Sequence, residues 1–203
     1  MARPPLVDSA ALVAFDLDGV LVDSFECWRR VLNATLAGQG QQPLTPEEFA
    51  ACWGQDVAAD RDRFFPDWSV ERLIDHYTRE FPSYARWIQA EPGAVETLRG
   101  LKRRGKRVAV ASNSPTGMVE RLLDQTALRP YVDWAAGVDL VPNGKPEPDL
   151  IEYVLGRSET PPESACFVGD SEYDARAARA AGVFFIGYKR PGDWRIETLS
   201  ELL

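Results

Sequence analysis

The sequence predicts an α/β fold, a parallel sheet of about five strands with an all-helical stretch set into it near the N-terminus. Three observations carry that expectation. Beyond residue 90, short apolar runs alternate with helical patterns of about ten residues, the rhythm of βαβ units and so of a parallel sheet covered on both faces. Between residues 19 and 89, apolar side chains recur at helical spacing and no convincing strand interrupts them. Ahead of that stretch, the run "ALVAF" at 11–15 has the length and composition of a buried strand.

The first predicted strand ends abruptly in Asp16 and Asp18. Residues i and i+2 of an extended chain point the same way, so both carboxylates enter one small volume, where their repulsion is costly without a positive partner. The helical stretch opens with "DSFECWRRVLNATLAG": Asp23 and Glu26 stand at capping-box spacing, and Phe25, Trp28, Leu32 and Leu36 recur at helical intervals before Gly38. "TPEEFAACW" supplies Thr45 as N-cap, Pro46 in the first turn and Glu48 three residues after the cap. "CWGQDVAADRDRFF" reads as a turn, and "SVERLIDHYTREF" is helical with Val70, Leu73, Ile74, Tyr77 and Phe81 on one face. Pro92 and Gly93 then open a helix that Gly105 closes, followed by the β-branched run "KRVAVASNS". "MVERLLDQTAL", "PDLIEYVLG" and "EYDARAARAAG" are helical, while "DWAAGV", "ACFVGD" and "VFFIGY" are strands.

Composition narrows the class. A chain of 203 residues suits one large domain, or one carrying a smaller insertion, and 45% apolar residues supply a real core. The net charge of −8 argues against a general binder of nucleic acid or anionic membrane. Cys27, Cys52 and Cys166 are scattered without metal-ligand spacing, as expected of a reducing compartment. The opening "MARPPLVDSAALVAFD" lacks the apolar run of a signal peptide and nothing later is long enough to span a bilayer, so the expected location is cytoplasmic.

The polar residues fall where such a fold binds ligands. Asp16 and Asp18 end the first strand, Ser112 and Asn113 the second; Lys145 follows the third, and Asp170 and Asp174 the fourth. Open parallel sheets bind ligands beyond the carboxyl ends of their strands, so acid, hydroxyl, cation and acid are delivered to one crevice.

Four segments, "DLDGVLVDS", "SNS", "GKPEPD" and "VGDSEYDARAARAAG", resemble in order and rough spacing the signature motifs of the haloacid dehalogenase superfamily. The helical stretch also lies where one subfamily carries a small helical cap. The resemblance implies a Rossmann-like three-layer core made of residues 1–19 and 90–203, with a cap domain at 20–89. It implies a Mg2+-dependent hydrolase of small phosphate monoesters, similar to phosphoglycolate and sugar-phosphate phosphatases, working through an aspartyl-phosphate. Asp16 would be the nucleophile and Asp18 the general acid and base. Mg2+ would be held by Asp16, the backbone carbonyl of Asp18 and Asp170, with Asp174 orienting its waters. Ser112 and the amide of Asn113 would cradle phosphate oxygens, and Lys145 would balance charge on phosphate and nucleophile. The implied partner is a small phosphorylated metabolite, bound by a monomer or homodimer that engages neither nucleic acid nor membrane.

Departures and absences sharpen this reading. Dehalogenases of the superfamily lack the second aspartate, whereas Asp18 is present. Phosphonate hydrolases need a cap lysine, and residues 19–89 contain none. Hexose-phosphate mutases typically carry a histidine in the first cap helix; here it reads "CWRRVLNATL", and His76 falls on the polar part of a later helix. A phosphomutase and a non-catalytic phosphate-binding relative remain the alternatives. The segment around Gly54 and Gln55 corresponds to the family's specificity loop: Gly54 would permit close backbone approach and Gln55 would hydrogen-bond the substrate. Arg61 and Arg63 are candidate anion clamps, set against the plainer reading that they, like Arg29 and Arg30, solvate helix faces. Trp28 and Trp53 either flank the pocket or pack the core.

Overall fold

The computed structural model describes residues 5–203; the first four residues, where the segment read as lacking a signal peptide begins, lie outside them. A short helix α1 (Pro5–Ser9) leads into β1 (Leu12–Phe15), which is followed by β2 (Val22–Asp23) and four helices: α2 (Phe25–Gly38), α3 (Pro46–Ala50), α4 (Val57–Phe64) and α5 (Val70–Glu80). After a 3₁₀ segment at Phe81–Trp87 come β3 (Gln89–Ala90), α6 (Ala94–Arg103), β4 (Arg107–Ala111), α7 (Thr116–Gln125) and β5 (Trp134–Ala136). The chain ends with α8 (Asp149–Arg157), β6 (Ala165–Gly169), α9 (Glu172–Ala180), β7 (Phe184–Tyr188), β8 (Trp194–Ile196) and a 3₁₀ segment at Leu199–Leu202.

Six strands form one parallel sheet in the order β5-β4-β1-β6-β7-β8. Every residue of β1 is buried, as a central strand covered on both faces requires. Alternation splits its side chains: Val13 and Phe15 enter one apolar cluster with Leu98, Leu101 and Leu122, while Leu12 and Ala14 enter another with Ile151, Val154 and Ala178. Helices α6 and α7 therefore cover one face, and α8 and α9 the other. The α/β class with its parallel sheet is as the sequence predicts, and β8 adds a sixth strand. From β1 the chain builds outward to β4 and β5, then crosses back to β6 on the other side, so the topological switch point flanks the carboxyl end of β1.

Three local expectations are corrected. The segment read as a turn after Cys52 contains α4, capped by Asp56, whose Oδ1 accepts from the Ala59 amide at 2.8 Å. The stretch read as strandless contains β2, which pairs antiparallel with β3 through Val22 and Ala90. The Asp23–Glu26 capping box does not form; Ser24 is the N-cap of α2, and its hydroxyl is turned to Asp18 instead. At α3 the expected box is present, with Thr45 Oγ1 accepting from the Glu48 amide at 3.2 Å and Glu48 Oε2 accepting from the Thr45 amide at 2.8 Å. Among the described residues, no helix is long and apolar enough to cross a membrane.

Candidate active site

Residues from four distant segments meet beyond the carboxyl end of β1. Asp16 is the first residue past that strand, and its amide donates to the Val168 carbonyl at 2.8 Å, so sheet pairing carries on to the acid itself. Ser112 follows β4, its amide held at 3.0 Å by the Ala136 carbonyl, and Asp170 follows β6. Asp174 lies in the first turn of α9. Its Oδ2 accepts from the Ser171 amide at 3.0 Å and the Ser171 hydroxyl at 2.6 Å, a reciprocal cap that fixes the carboxylate against β6. A Cβ on Gly169 would stand 2.5 Å from Asp174 Cβ, so the close approach of α9 to the strand end depends on glycine there. Lys145 comes from the long connection between β5 and α8.

Lys145 Nζ donates to Asp16 Oδ1 and Asp174 Oδ1, both at 2.7 Å, and the three residues are 3%, 7% and 0% exposed. Carboxylate oxygens of Asp16, Asp170 and Asp174 lie within 4.8 Å of one another. Three acids thus share one ammonium, and negative charge is left over. Burial, only partly offset by Lys145 and reinforced by Asp174, Asp170 and Asp18, pushes the Asp16 carboxyl well above its ordinary value. Burial and then Asp174 push Asp170 up to about 7. Burial draws the Lys145 ammonium down, but Asp16 and Asp174 more than offset this and hold it above its usual value.

Asp170 Oδ1 is buried without a hydrogen-bond partner, an orphaned acceptor of the kind a cation satisfies. On its other side the carboxyl meets the Trp53 indole and Gly19. Gly19 has φ +86°, and a Cβ there would lie 2.3 Å from Asp170 Oδ2. Hard oxygen donors, excess negative charge and an unsatisfied oxygen fit a divalent cation such as Mg2+.

Asp16 and Asp18 both line the cavity above this cluster, but their side chains take different partners. Asp18 Oδ1 accepts from Ser24 Oγ at 2.5 Å and Trp28 Nε1 at 3.1 Å. Its Oδ2 accepts from Ser114 Oγ at 2.9 Å and Ser112 Oγ at 3.3 Å. The first pair of donors belongs to the start of the helical segment and the second to the end of β4, so this one carboxylate ties the two together. Asn113 ties two loops: Nδ2 donates to the Lys145 carbonyl at 2.9 Å and the Gly54 carbonyl at 3.0 Å, and Oδ1 accepts from the Lys145 amide at 2.7 Å.

The cavity has a volume of about 70 Å³. Asp16, Asp18, Ser112, Asn113 and Lys145 form its floor, and the helical segment forms its roof, in which Gly54 and Gln55 take part. Trp28 and Trp53 line it while packing against Phe81 and Phe49, so both sequence readings of these tryptophans apply. Arg61 and Arg63, the candidate anion clamps, do not line it: Arg61 pairs with Asp62 at 3.0 Å, and Arg63 stacks over Phe64 at 4.9 Å. Arg29 and Arg30 pair with Glu26 on the surface of α2 at 2.9 and 2.7 Å, and His76 sits edge-on to Trp68. Sequence reasoning passed over Ser24, Ser114, Asp60 and Tyr77. Ser114 stood in plain view as the second serine of "SNS", whereas Asp60 was hidden by reading α4 as a turn.

Residues 13–188 match the family model for haloacid dehalogenase-like hydrolases. The chain belongs to that family. Phosphoglycolate phosphatase 1 of Pseudomonas aeruginosa is 33% identical over 182 residues, which cover 85% of this chain and 66% of the relative, just under two thirds of its length. A phosphoglycolate phosphatase of Mannheimia succiniciproducens is 32% identical over 219 residues, covering 95% of this chain and 96% of the relative. Among solved structures, CbbY from Rhodobacter sphaeroides, crystallised in complex with phosphate, is similar with a TM-score of 0.83 at 26% identity, over 95% of this chain and 96% of that one.

Proposed function

We propose that this chain is a Mg2+-dependent phosphatase of small phosphate monoesters, with residues 20–89 serving as a cap domain over a core of 1–19 and 90–203. The observation that carries the reading is the buried contact of Lys145 with Asp16 and Asp174 beside Asp170, side chains from three separate segments of the chain gathered beneath one cavity. The names of the relatives support the reaction class, and three free, buried cysteines agree with a reducing cytoplasm.

In this proposal Asp16 attacks the phosphorus atom, the bond to the ester oxygen breaks, and Asp18 gives that oxygen its proton, leaving an aspartyl-phosphate on Asp16. Asp18 then takes a proton from water, the water oxygen attacks phosphorus, and inorganic phosphate leaves as Asp16 is restored. Lys145 holds Asp16 in line and offsets charge that builds on the phosphoryl oxygens, while Ser112 and the Asn113 amide bind those oxygens. Asp16, the Asp18 carbonyl and Asp170 would hold Mg2+, with Asp174 orienting its waters, and the ion would supply the positive charge that lets an anionic nucleophile meet an anionic ester. The roof excludes water and contacts the alcohol part of the substrate.

Asp16→Asn should abolish turnover of a generic aryl phosphate while leaving the circular dichroism spectrum unchanged. Chelation of the wild-type enzyme should do the same, reversed by added Mg2+. Near-wild-type rates in either preparation overturn the proposal.

A further inference from the structure

The roof of the cavity holds one carboxylate with no part in the chemistry above. We propose that Asp60 restricts this enzyme to phosphate esters whose alcohol carries hydroxyl donors and no second anionic group, an inference that rests on reading the floor as a phosphoryl-transfer site.

Asp60 reaches the cavity from α4, between the buried Val57 and Phe64. Its Oδ1 accepts from Gln55 Nε2, and its Oδ2 accepts from the buried Tyr77 hydroxyl at 2.9 Å. These two bonds fix the carboxylate but do not exhaust it, since each oxygen has a further lone pair. Gln55 Oε1 adds another acceptor. Burial pushes the Asp60 carboxyl up to about 6, with Asp56 adding to the rise and Gln55, Tyr77 and Arg63 opposing it, so the group is anionic above neutrality.

Arg63 is near enough to act on Asp60 but stacks over Phe64 and does not line the cavity, so the lining offers a second anion no free cation. Trp28 Nε1 is bound to Asp18, and the Trp53 indole is bound to Asp170. Among the described residues lining the cavity, Lys145 is the one cation, and Asp16 and Asp174 already occupy it. The two arginines of α4 do not line the cavity. The remaining roof is apolar, with Leu32, Phe49 and Val57. A carboxylate or second phosphate placed here would be desolvated without a counter-charge and set against Asp60, whereas a hydroxyl finds acceptors.

The decisive pair of probes is 2-hydroxyethyl phosphate and 2-phosphoglycolate, which differ by a hydroxymethyl group in place of a carboxylate. The purified full chain is assayed with Mg2+ above neutral pH, with an aryl phosphate in parallel. Wild type should favour the hydroxyethyl ester by at least about tenfold in kcat/KM, and Asp60→Asn should narrow that ratio by at least about tenfold, chiefly through KM for the carboxylate ester. Equal or better use of 2-phosphoglycolate by wild type overturns the inference, as does an unchanged ratio in a folded variant; should the variant not fold, the wild-type ratio decides alone. Turnover of the aryl phosphate with neither alkyl ester used sinks this inference and spares the phosphatase reading. No turnover of any of the three sinks both.

Discussion

Lys145 is the residue on which the floor of the site balances, a buried ammonium bound at 2.7 Å to each of two carboxylates. Replacing it with Met leaves Asp16 and Asp174 as buried like charges without a counter-charge. Lys145→Met should therefore lose about 3 kcal/mol of stability in metal-free buffer by urea titration, with part of the loss recovered on adding Mg2+. Asp60 tests a second residue-scale idea, that the roof gives up stability for specificity. Its folded-state value, raised from 3.8 to about 6, lies above the unfolded one, so the native state binds the extra proton between those values. Stability from this group is present at low pH and lost as pH rises through about 6, where Asp60 ionises in place. Asp60→Asn removes that titration. The variant should gain roughly 3 kcal/mol relative to wild type on moving from acid to neutral pH in thermal or urea melts, and a pH-independent difference would reject the argument.

At the scale of elements, the turn after β1 matters more than any helix. It takes the chain from the sheet into the helical segment within a few residues, and Gly19, at φ +86° against Asp170, makes that path possible. Gly19→Ala introduces backbone strain and a methyl group where Asp170 Oδ2 lies. The expected result is an increase of about tenfold or more in the Mg2+ concentration needed for half-maximal activity, with the substrate KM at saturating Mg2+ moved much less. The elements that were hard to foresee share one trait: they are short. Helix α4 has buried apolar residues only at its ends, Val57 and Phe64, so its two turns offer too few positions for a helical period to emerge. Strand β2 is two residues long and exists because Val22 finds Ala90 across the helical segment, a partner that local pattern does not reveal. The long helices α2 and α5 were legible because their apolar positions repeat over several turns.

Across the whole molecule, β1 is the element that everything else surrounds, paired on one side with β4 and on the other with β6. Its amides should exchange with deuterium only through global unfolding, while those of α3 and α4 exchange through local opening at least about tenfold faster; comparable rates would argue against β1 as the centre of the fold. The sequence by itself determined the α/β class and the family and marked out the candidate site positions, because apolar runs, helical periods and motif residues are local properties that survive in a linear reading. Only the tertiary structure decided which of those residues touch. It joined Lys145 to Asp16 and Asp174, gave Asp18 its four donors, turned Arg61 and Arg63 away from the cavity and brought Asp60 into it. The physical reason is that side-chain direction and burial are set by neighbours from other strands and helices, through packing and desolvation that no single segment contains.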